Sequence, residues 1–527
     1  MHRLYGVSLR TGWFLLCTAA AALAADQVKV EGGVLEGIRN GDATVRMFAG
    51  VPFAAPPAGA LRWQPPQPAA AWTGVRKADH FGARCYQAPI FSDMIFRDPG
   101  ISEDCLYLNV WTPSRAPKKR LPVLVYFYGG GFAAGASDEP RYDGTNFAKK
   151  GLIVVTANYR LGVFGFVAHP ALTAESAHKA SGNYGMLDQV AALQWVQRNI
   201  AAFGGDRTKV TIGGESAGSA SVSALMSSPL AAGLFRGVIG ESGAMFNTGG
   251  VLAGLPLEKA EKMGVDFATA LGASTLAAMR AAPAEDVLKA STKAGAVRFG
   301  PIIDGYFLPE EPKAIFAAGK QNHVALLAGW NADEVRGSVL GAKDKPTART
   351  FPEVLQKQFG DKAGEAAKVY AASNDEEALA SAGDVAGDTF IAYSTWKWME
   401  MEVASGQGPV YRFRFDRAVP LPEGMPSPGG VKGLAGHSWE LEYVFGALDS
   451  KKAAWGPEDR KASEEAAAYW ANFIRTGNPN GAGLPKWPSY GKTHQVMHLD
   501  AVSHAAPEEH RDRYEFLDRF YTGGAGK

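Results

Sequence analysis

Uninterrupted apolar runs mark the first half of this chain. Val123-Leu124-Val125-Tyr126-Phe127 and Ile153-Val154-Val155 carry no polar position, the pattern of strands covered on both faces by crossover helices. Leu106-Tyr107-Leu108-Asn109-Val110-Trp111 alternates instead and predicts a half-buried strand. Residues 28–30, 34–36 and 45–48 read as further strands, followed by a Pro-rich stretch from Pro52 to Pro68. Residues 189–203 switch to helical spacing, with Val190, Leu193, Val196 and Ile200 on one stripe. Strands return from Val210 and over residues 237–240. The second half is richer in helix. Residues 258–271 and 464–475 carry apolar stripes, and 324–328 and 410–413 read as two more strands. Such alternation predicts an α/β fold with a large central, mostly parallel sheet and helices on both faces. There is no internal repeat and no linker, so residues 25–527 are expected to form a single domain. Residues 425–436 form a Pro/Gly-rich loop of the kind that carries function or mobility.

Composition narrows the partners. Apolar residues make up 46% of the 527 positions, and 54 basic residues nearly cancel 53 acidic ones. A net charge of +1 leaves no basic excess for nucleic acid. The first residues differ: His2, Arg3 and Arg10 precede an apolar run from Trp13 to Ala24, with small residues around Leu23. Residues 1–24 therefore read as a secretory signal peptide. The run is shorter than the roughly 20 apolar residues that span a bilayer, and no other stretch is long and apolar enough, so no membrane span is expected after cleavage. Leu16 before Cys17 is not the small residue a lipidation site wants. Cleavage would leave Cys85 and Cys105, and an even pair in an exported chain favours a disulfide. It would close a loop of about 20 residues and contribute roughly 3 kcal/mol. The absence of an Asn-x-Ser/Thr sequon fits a bacterial periplasmic or secreted protein.

Chemistry concentrates at Gly214-Glu215-Ser216-Ala217-Gly218, between the strand from Val210 and a helical segment, 219–226. Small residues permit a sharp strand-to-helix turn with an exposed hydroxyl at its apex. A serine hydroxyl is a weak nucleophile at neutral pH. It needs a base within hydrogen-bond reach, and the base needs an acid to hold its tautomer. Of the histidines after Ser216, His323 opens a strand, His494 and His498 flank a short one, and His504 and His510 lie in polar tail sequence. His437 sits in the flexible loop after a sheet strand, where a base belongs. The acid should follow the strand 324–328, where Asp333 and Glu334 are both candidates. Tyr128-Gly129-Gly130-Gly131-Phe132 follows a buried strand, and its glycines free backbone N–H groups to meet a developing oxyanion, joined by the N–H of Ala217. Nothing in this set calls for a metal or an organic cofactor.

These motifs resemble the type-B carboxylesterase/lipase family, which includes bacterial carboxylesterases and cholinesterases and has the α/β-hydrolase fold. The likeness extends through Ser102-Glu103-Asp104-Cys105, Gly182-Asn183-Tyr184-Gly185, Phe203-Gly204-Gly205-Asp206, Asn331-Ala332-Asp333-Glu334 and Gly436-His437-Ser438-Trp439-Glu440. It implies Ser216 as nucleophile, Glu334 as triad acid, His437 as base, and Gly130, Gly131 and Ala217 as oxyanion donors. It implies that Cys85 and Cys105 form the family's first disulfide, that Ser242 hydrogen-bonds beside the triad, and that Glu215 supports it. The implied substrate is a small-molecule carboxylic ester, cleaved through an acyl-enzyme. Two departures stand out. Val335 replaces the usual glycine after the acid, and Ile95 stands where cholinesterases carry a tryptophan that binds quaternary ammonium. Gly295 and Val297 before Phe299 are small, so Ile95, Val297 and Phe299 outline a pocket with a roomier acyl side. A lipase is the alternative, with Met94, Ile95 and Phe96 as a modest apolar lid. A non-catalytic adhesion module, also known on this fold, is disfavoured by the complete triad.

Overall fold

The computed structural model of the chain describes residues 26–115, 119–246, 252–293, 299–425, 427–431 and 433–523. The expected signal peptide, 1–24, lies outside these, as does Val297. Among the described residues an 11-stranded sheet organises the fold. In chain order its strands are β1 (Ile38–Arg39), β2 (Val45–Pro52), β3 (Tyr107–Pro113), β4 (Leu121–Phe127), β5 (Ile153–Ala157) and β6 (Gly205–Glu215). They continue with β7 (Gly237–Glu241), β8 (Ala325–Asn331), β9 (Val410–Phe415), β10 (Gln495–Leu499) and β11 (His504–Pro507). The order across the sheet is β1-β2-β3-β5-β4-β6-β7-β8-β9-β10-β11. Strands β5, β4 and β6 to β10 are parallel neighbours, and antiparallel strands flank them on both sides. The polar sequence around His504 thus supplies the last strand rather than a tail.

Both faces are covered by helices. Four matter for the site: α1 (Tyr184–Asn199), α2 (Ala217–Ser227), α3 (Tyr393–Ser405) and α4 (Pro457–Thr476). The pleat of β7 shows the layering. A Cβ added at Gly240 would lie 2.4 Å from Trp398 of α3 and 2.9 Å from Ser219 of α2. Its neighbour Glu241 points to the opposite face, where Trp470 of α4 donates to it at 3.0 Å. Helix α1 joins the first face, where Gln189 donates to Ser221 at 3.0 Å.

Strand β3 corrects one expectation. It is buried on both faces, not one. Asn109 reads as a surface position, yet it is buried and fully engaged: its side chain donates to Ser137 and Thr156 at 3.1 Å and accepts from the Gly50 N–H at 3.0 Å. A buried amide is tolerated where its donors and acceptor are all paired. Residues 27–30 and 33–36 form their own small sheet with Val75–Lys77, apart from the main one. Cys85 and Cys105 are joined by a disulfide.

The C-terminal ends of β6, β7 and β8 lie side by side, with Glu215 opposite Glu241 and Glu241 opposite Gly329. Open parallel sheets place their sites beyond such strand ends, near the point where strand order reverses; here β4 lies between β5 and β6.

Candidate active site

Ser216 occupies the turn between β6 and α2 with φ 55° and ψ −118°. That is a strained conformation for a residue with a Cβ, and close neighbours impose it. A Cβ at Gly214 would lie 2.4 Å from the Gly218 carbonyl carbon, one at Gly218 would lie 2.0 Å from the Phe127 carbonyl oxygen, and one at Gly129 would lie 3.0 Å from the Ser216 Cβ. The backbone is pinned as well, since the Ser216 N–H donates to the Glu241 carbonyl at 2.8 Å. Gly218→Ala is therefore expected to destabilise the fold by about 3 kcal/mol or more, seen as a lowered melting temperature and a poor yield of folded protein; a variant melting like the parent would contradict this packing.

The loop after β4 runs against the same serine. Gly130 and Gly131 hold φ 103° and 62°, and a Cβ at Gly130 would lie 2.1 Å from the Ala134 carbonyl oxygen. Only glycine fits there. Ala217 opens α2, where the first N–H groups have no partner within the helix. Backbone donors are thus available on two sides of Ser216.

His437 reaches the site from its loop and meets both expected partners. Its Nε2 lies 3.0 Å from Ser216 Oγ, and its Nδ1 lies 2.6 Å from Glu334 Oε2. The other Glu334 oxygen accepts from Ser242 Oγ at 2.6 Å and from the Asn331 N–H at 2.8 Å. Glu334, not Asp333, is the carboxylate that meets His437. The Asp333 carboxylate accepts instead from the Ala435 N–H at 3.0 Å and pairs with Arg336 at 3.3 Å, which fastens the histidine loop to the end of β8. The His437 N–H donates to the Glu334 carbonyl at 2.9 Å, and Asn331 Nδ2 donates to the Gly436 carbonyl at 2.7 Å. Val335 needs no glycine, because its φ is −113°.

A set of buried carboxylates lies behind Ser216, His437 and Glu334. Glu215 Oε1 is 3.2 Å from His437 Nε2, Glu241 accepts from Tyr126 Oη at 2.8 Å, and Glu440 accepts from Asn331. Burial pushes Glu215 up to about 7, Glu241 up to about 8 and Glu440 well above the carboxylate range. Like charges packed together in an apolar region cannot all ionise. His437 is pulled the other way: burial opposes its charge, but Glu215 and Glu334 outweigh it and raise it to about 10. The sequence assigns no working role to Glu440 or Asn331; their place beside the histidine and acid motifs is the available signal.

The residues expected to outline a substrate pocket or lid fall in different places. Ile95 is 48% exposed in the disulfide loop, whereas a Cβ at Gly130 would touch the neighbouring Met94 at 2.9 Å. Phe96 lies under the Arg84 guanidinium at 4.3 Å. Phe299 is buried, its ring 5.9 Å from that of Phe267. Among the described residues no group of His, Cys, Asp and Glu side chains is arranged to hold a metal ion, and no helix is long and apolar enough to cross a membrane.

A hydroxyl facing an imidazole that is held by a carboxylate can be deprotonated as it attacks an electrophilic carbon. Comparison with known proteins points to ester hydrolysis. The Carboxylesterase family matches residues 24–517. The fumonisin B1 esterase of Sphingopyxis macrogoltabida is 36% identical over 93% of this chain and 91% of its own. The para-nitrobenzyl esterase of Bacillus subtilis is 35% identical over 87% and 91%. A solved structure of PNB esterase superposes with a TM-score of 0.80 at 33% identity, covering 94% of this chain and 99% of that one. The protein is a carboxylic ester hydrolase with the α/β-hydrolase fold, and it belongs to the carboxylesterase family.

Proposed function

We propose that the enzyme cleaves small carboxylic esters through a covalent acyl-enzyme, with Ser216 as nucleophile, His437 as general base and Glu334 as the carboxylate that orients it. The observation that carries this reading is the continuous line from Ser216 Oγ to Nε2 at 3.0 Å and from Nδ1 to Glu334 at 2.6 Å. As Oγ attacks the carbonyl carbon, Nε2 takes its proton, and Glu334 stabilises the imidazolium without itself becoming protonated. The carbonyl oxygen gains charge and meets the N–H groups of Gly130, Gly131 and Ala217. Collapse breaks the bond to the alcohol oxygen, which leaves with the proton from Nε2. Water then repeats the sequence and frees the acid. Labelling with a fluorophosphonate followed by peptide mass spectrometry tests the assignment: the probe is expected on Ser216, and modification of another serine alone would overturn it.

Relatives named for fumonisin B1 and para-nitrobenzyl esters make those two esters the first to assay, beside p-nitrophenyl acetate and butyrate. The apolar N-terminal run and the disulfide support export to the periplasm or beyond. Loss of secretion on deleting residues 2–24 would agree with that.

Glu215 gives this reading a pH signature. Its carboxylate stabilises the imidazolium and so raises the pKa of His437. Glu215→Gln removes that attraction, the imidazole stays neutral to lower pH, and the acid limb of kcat/KM is expected to move down by about one pH unit. The same change weakens the imidazolium formed during attack, so kcat falls. A pH–rate profile with an unmoved or raised acid limb would count against it.

A further inference from the structure

The helical run over residues 375–405 contains an irregularity. The helix Asp375–Gly387 passes into α3 through a π-helical turn, Asp388–Ala392. Such turns are uncommon, widen the helix locally and recur at functional sites. This one abuts the triad. A Cβ at Gly387 would lie 3.8 Å from that of Glu334. The ring of Phe390 lies 5.1 Å from the imidazole of His437, with the two planes at 74°. The turn is anchored, because buried Asp388 accepts from Tyr370 Oη at 3.0 Å and Thr389 Oγ1 donates to the Val385 carbonyl at 2.7 Å. Phe390 itself is half-buried.

The hydrogen bonds to Nδ1 and Nε2 hold the two ends of the imidazole. They resist only weakly a swing of the ring out of its own plane, and a packed side chain resists that swing directly. The ring must also stay in place as it gains and loses a proton twice per turnover. We propose that Phe390, carried by the π turn, is a positioning residue for His437 that keeps Nε2 aligned with Ser216 Oγ. The proposal rests on Ser216 and His437 being the reacting pair, and the test separates the two ideas.

Phe390→Leu, Phe390→Ala and Phe390→Tyr are compared with the parent for fluorophosphonate labelling rate, for kcat and KM on p-nitrophenyl acetate and butyrate, and for melting temperature. The Leu and Ala variants are expected to lose about threefold to tenfold or more in labelling rate and in kcat, the size of an aromatic pair's contribution. The loss should be equal for the two acyl lengths, with melting unchanged, and the Tyr variant should stay within twofold of the parent. Labelling and kcat within twofold of the parent in the Leu variant would overturn the proposal. So would a loss confined to KM or to the longer ester, which would make Phe390 a wall of the substrate pocket only. If the Ala variant fails to fold, the Leu and Tyr pair decides the matter. A parent enzyme that is not labelled at Ser216 would overturn the assignment of the reacting pair, and this proposal with it.

Discussion

Ser216→Ala is expected to lower kcat for a p-nitrophenyl ester by about a millionfold while the protein melts within a few degrees of the parent. The two halves of this result have separate causes. Catalysis is lost because Oγ is the atom that would bond to the acyl carbon, and it is the group His437 Nε2 faces at 3.0 Å. Folding survives because alanine keeps the Cβ and every backbone bond of the turn. The N–H of residue 216 still donates to the Glu241 carbonyl, and its carbonyl still accepts from the Ala220 N–H. The positive φ costs alanine about what it costs serine, on the order of 1–3 kcal/mol, and the packed neighbours impose it on both. What remains should be the modest acceleration that oriented N–H donors supply to attack by water. A variant retaining more than about one part in a thousand of parental kcat, after contaminating parent is excluded by active-site titration, would remove Ser216 from the reaction.

How much of this was legible in the sequence depends on what each residue type reveals. Apolar strands reveal themselves, because a run such as Val123 to Phe127 has no polar position to place in water. The glycines around Ser216 and after β4 do so too, since their spacing reflects contacts that no side chain could fill. Polar residues mislead when the fold buries them. Asn109 breaks the apolar pattern of β3 and suggests a wet face, yet its amide is paired inside the sheet. Glu215, Glu241 and Glu440 are buried carboxylates gathered from two strand ends and a loop. Their places beside Ser216, Ser242 and His437 mark them, but nothing local shows that they are buried, because burial is a property of the assembled layers. Spacing could not choose between Asp333 and Glu334. The choice is made by the turn after β8, which ties Asp333 to Ala435 and Arg336 and leaves Glu334 to His437. The π turn at Phe390 is hidden for another reason: one added residue shifts a helical stripe without erasing it.

Glu334→Gln is the sharpest test of how the acid works, because it removes a charge while keeping shape. One oxygen of Glu334 accepts two hydrogen bonds, from Ser242 Oγ at 2.6 Å and from the Asn331 N–H at 2.8 Å. A glutamine must turn its carbonyl oxygen to these donors, since the Asn331 N–H cannot accept. Its NH2 group then faces His437 Nδ1, where Oε2 now lies at 2.6 Å. Two donors cannot share that contact, so the imidazole must carry its proton on Nε2 and accept at Nδ1. That tautomer presents an N–H to Ser216 Oγ and cannot take the serine proton. The expected outcome is a fall in kcat of about ten-thousandfold, with KM and melting temperature little changed, and with partial recovery at high pH where hydroxide can replace the missing base. Glu334→Asp should behave differently: the charge survives but the reach shortens by one methylene, and activity should fall less. A Gln variant as active as the Asp variant would show that neither the charge nor the tautomer at Nδ1 limits the rate, and Glu334 would then be a scaffold for the loop rather than a member of the triad.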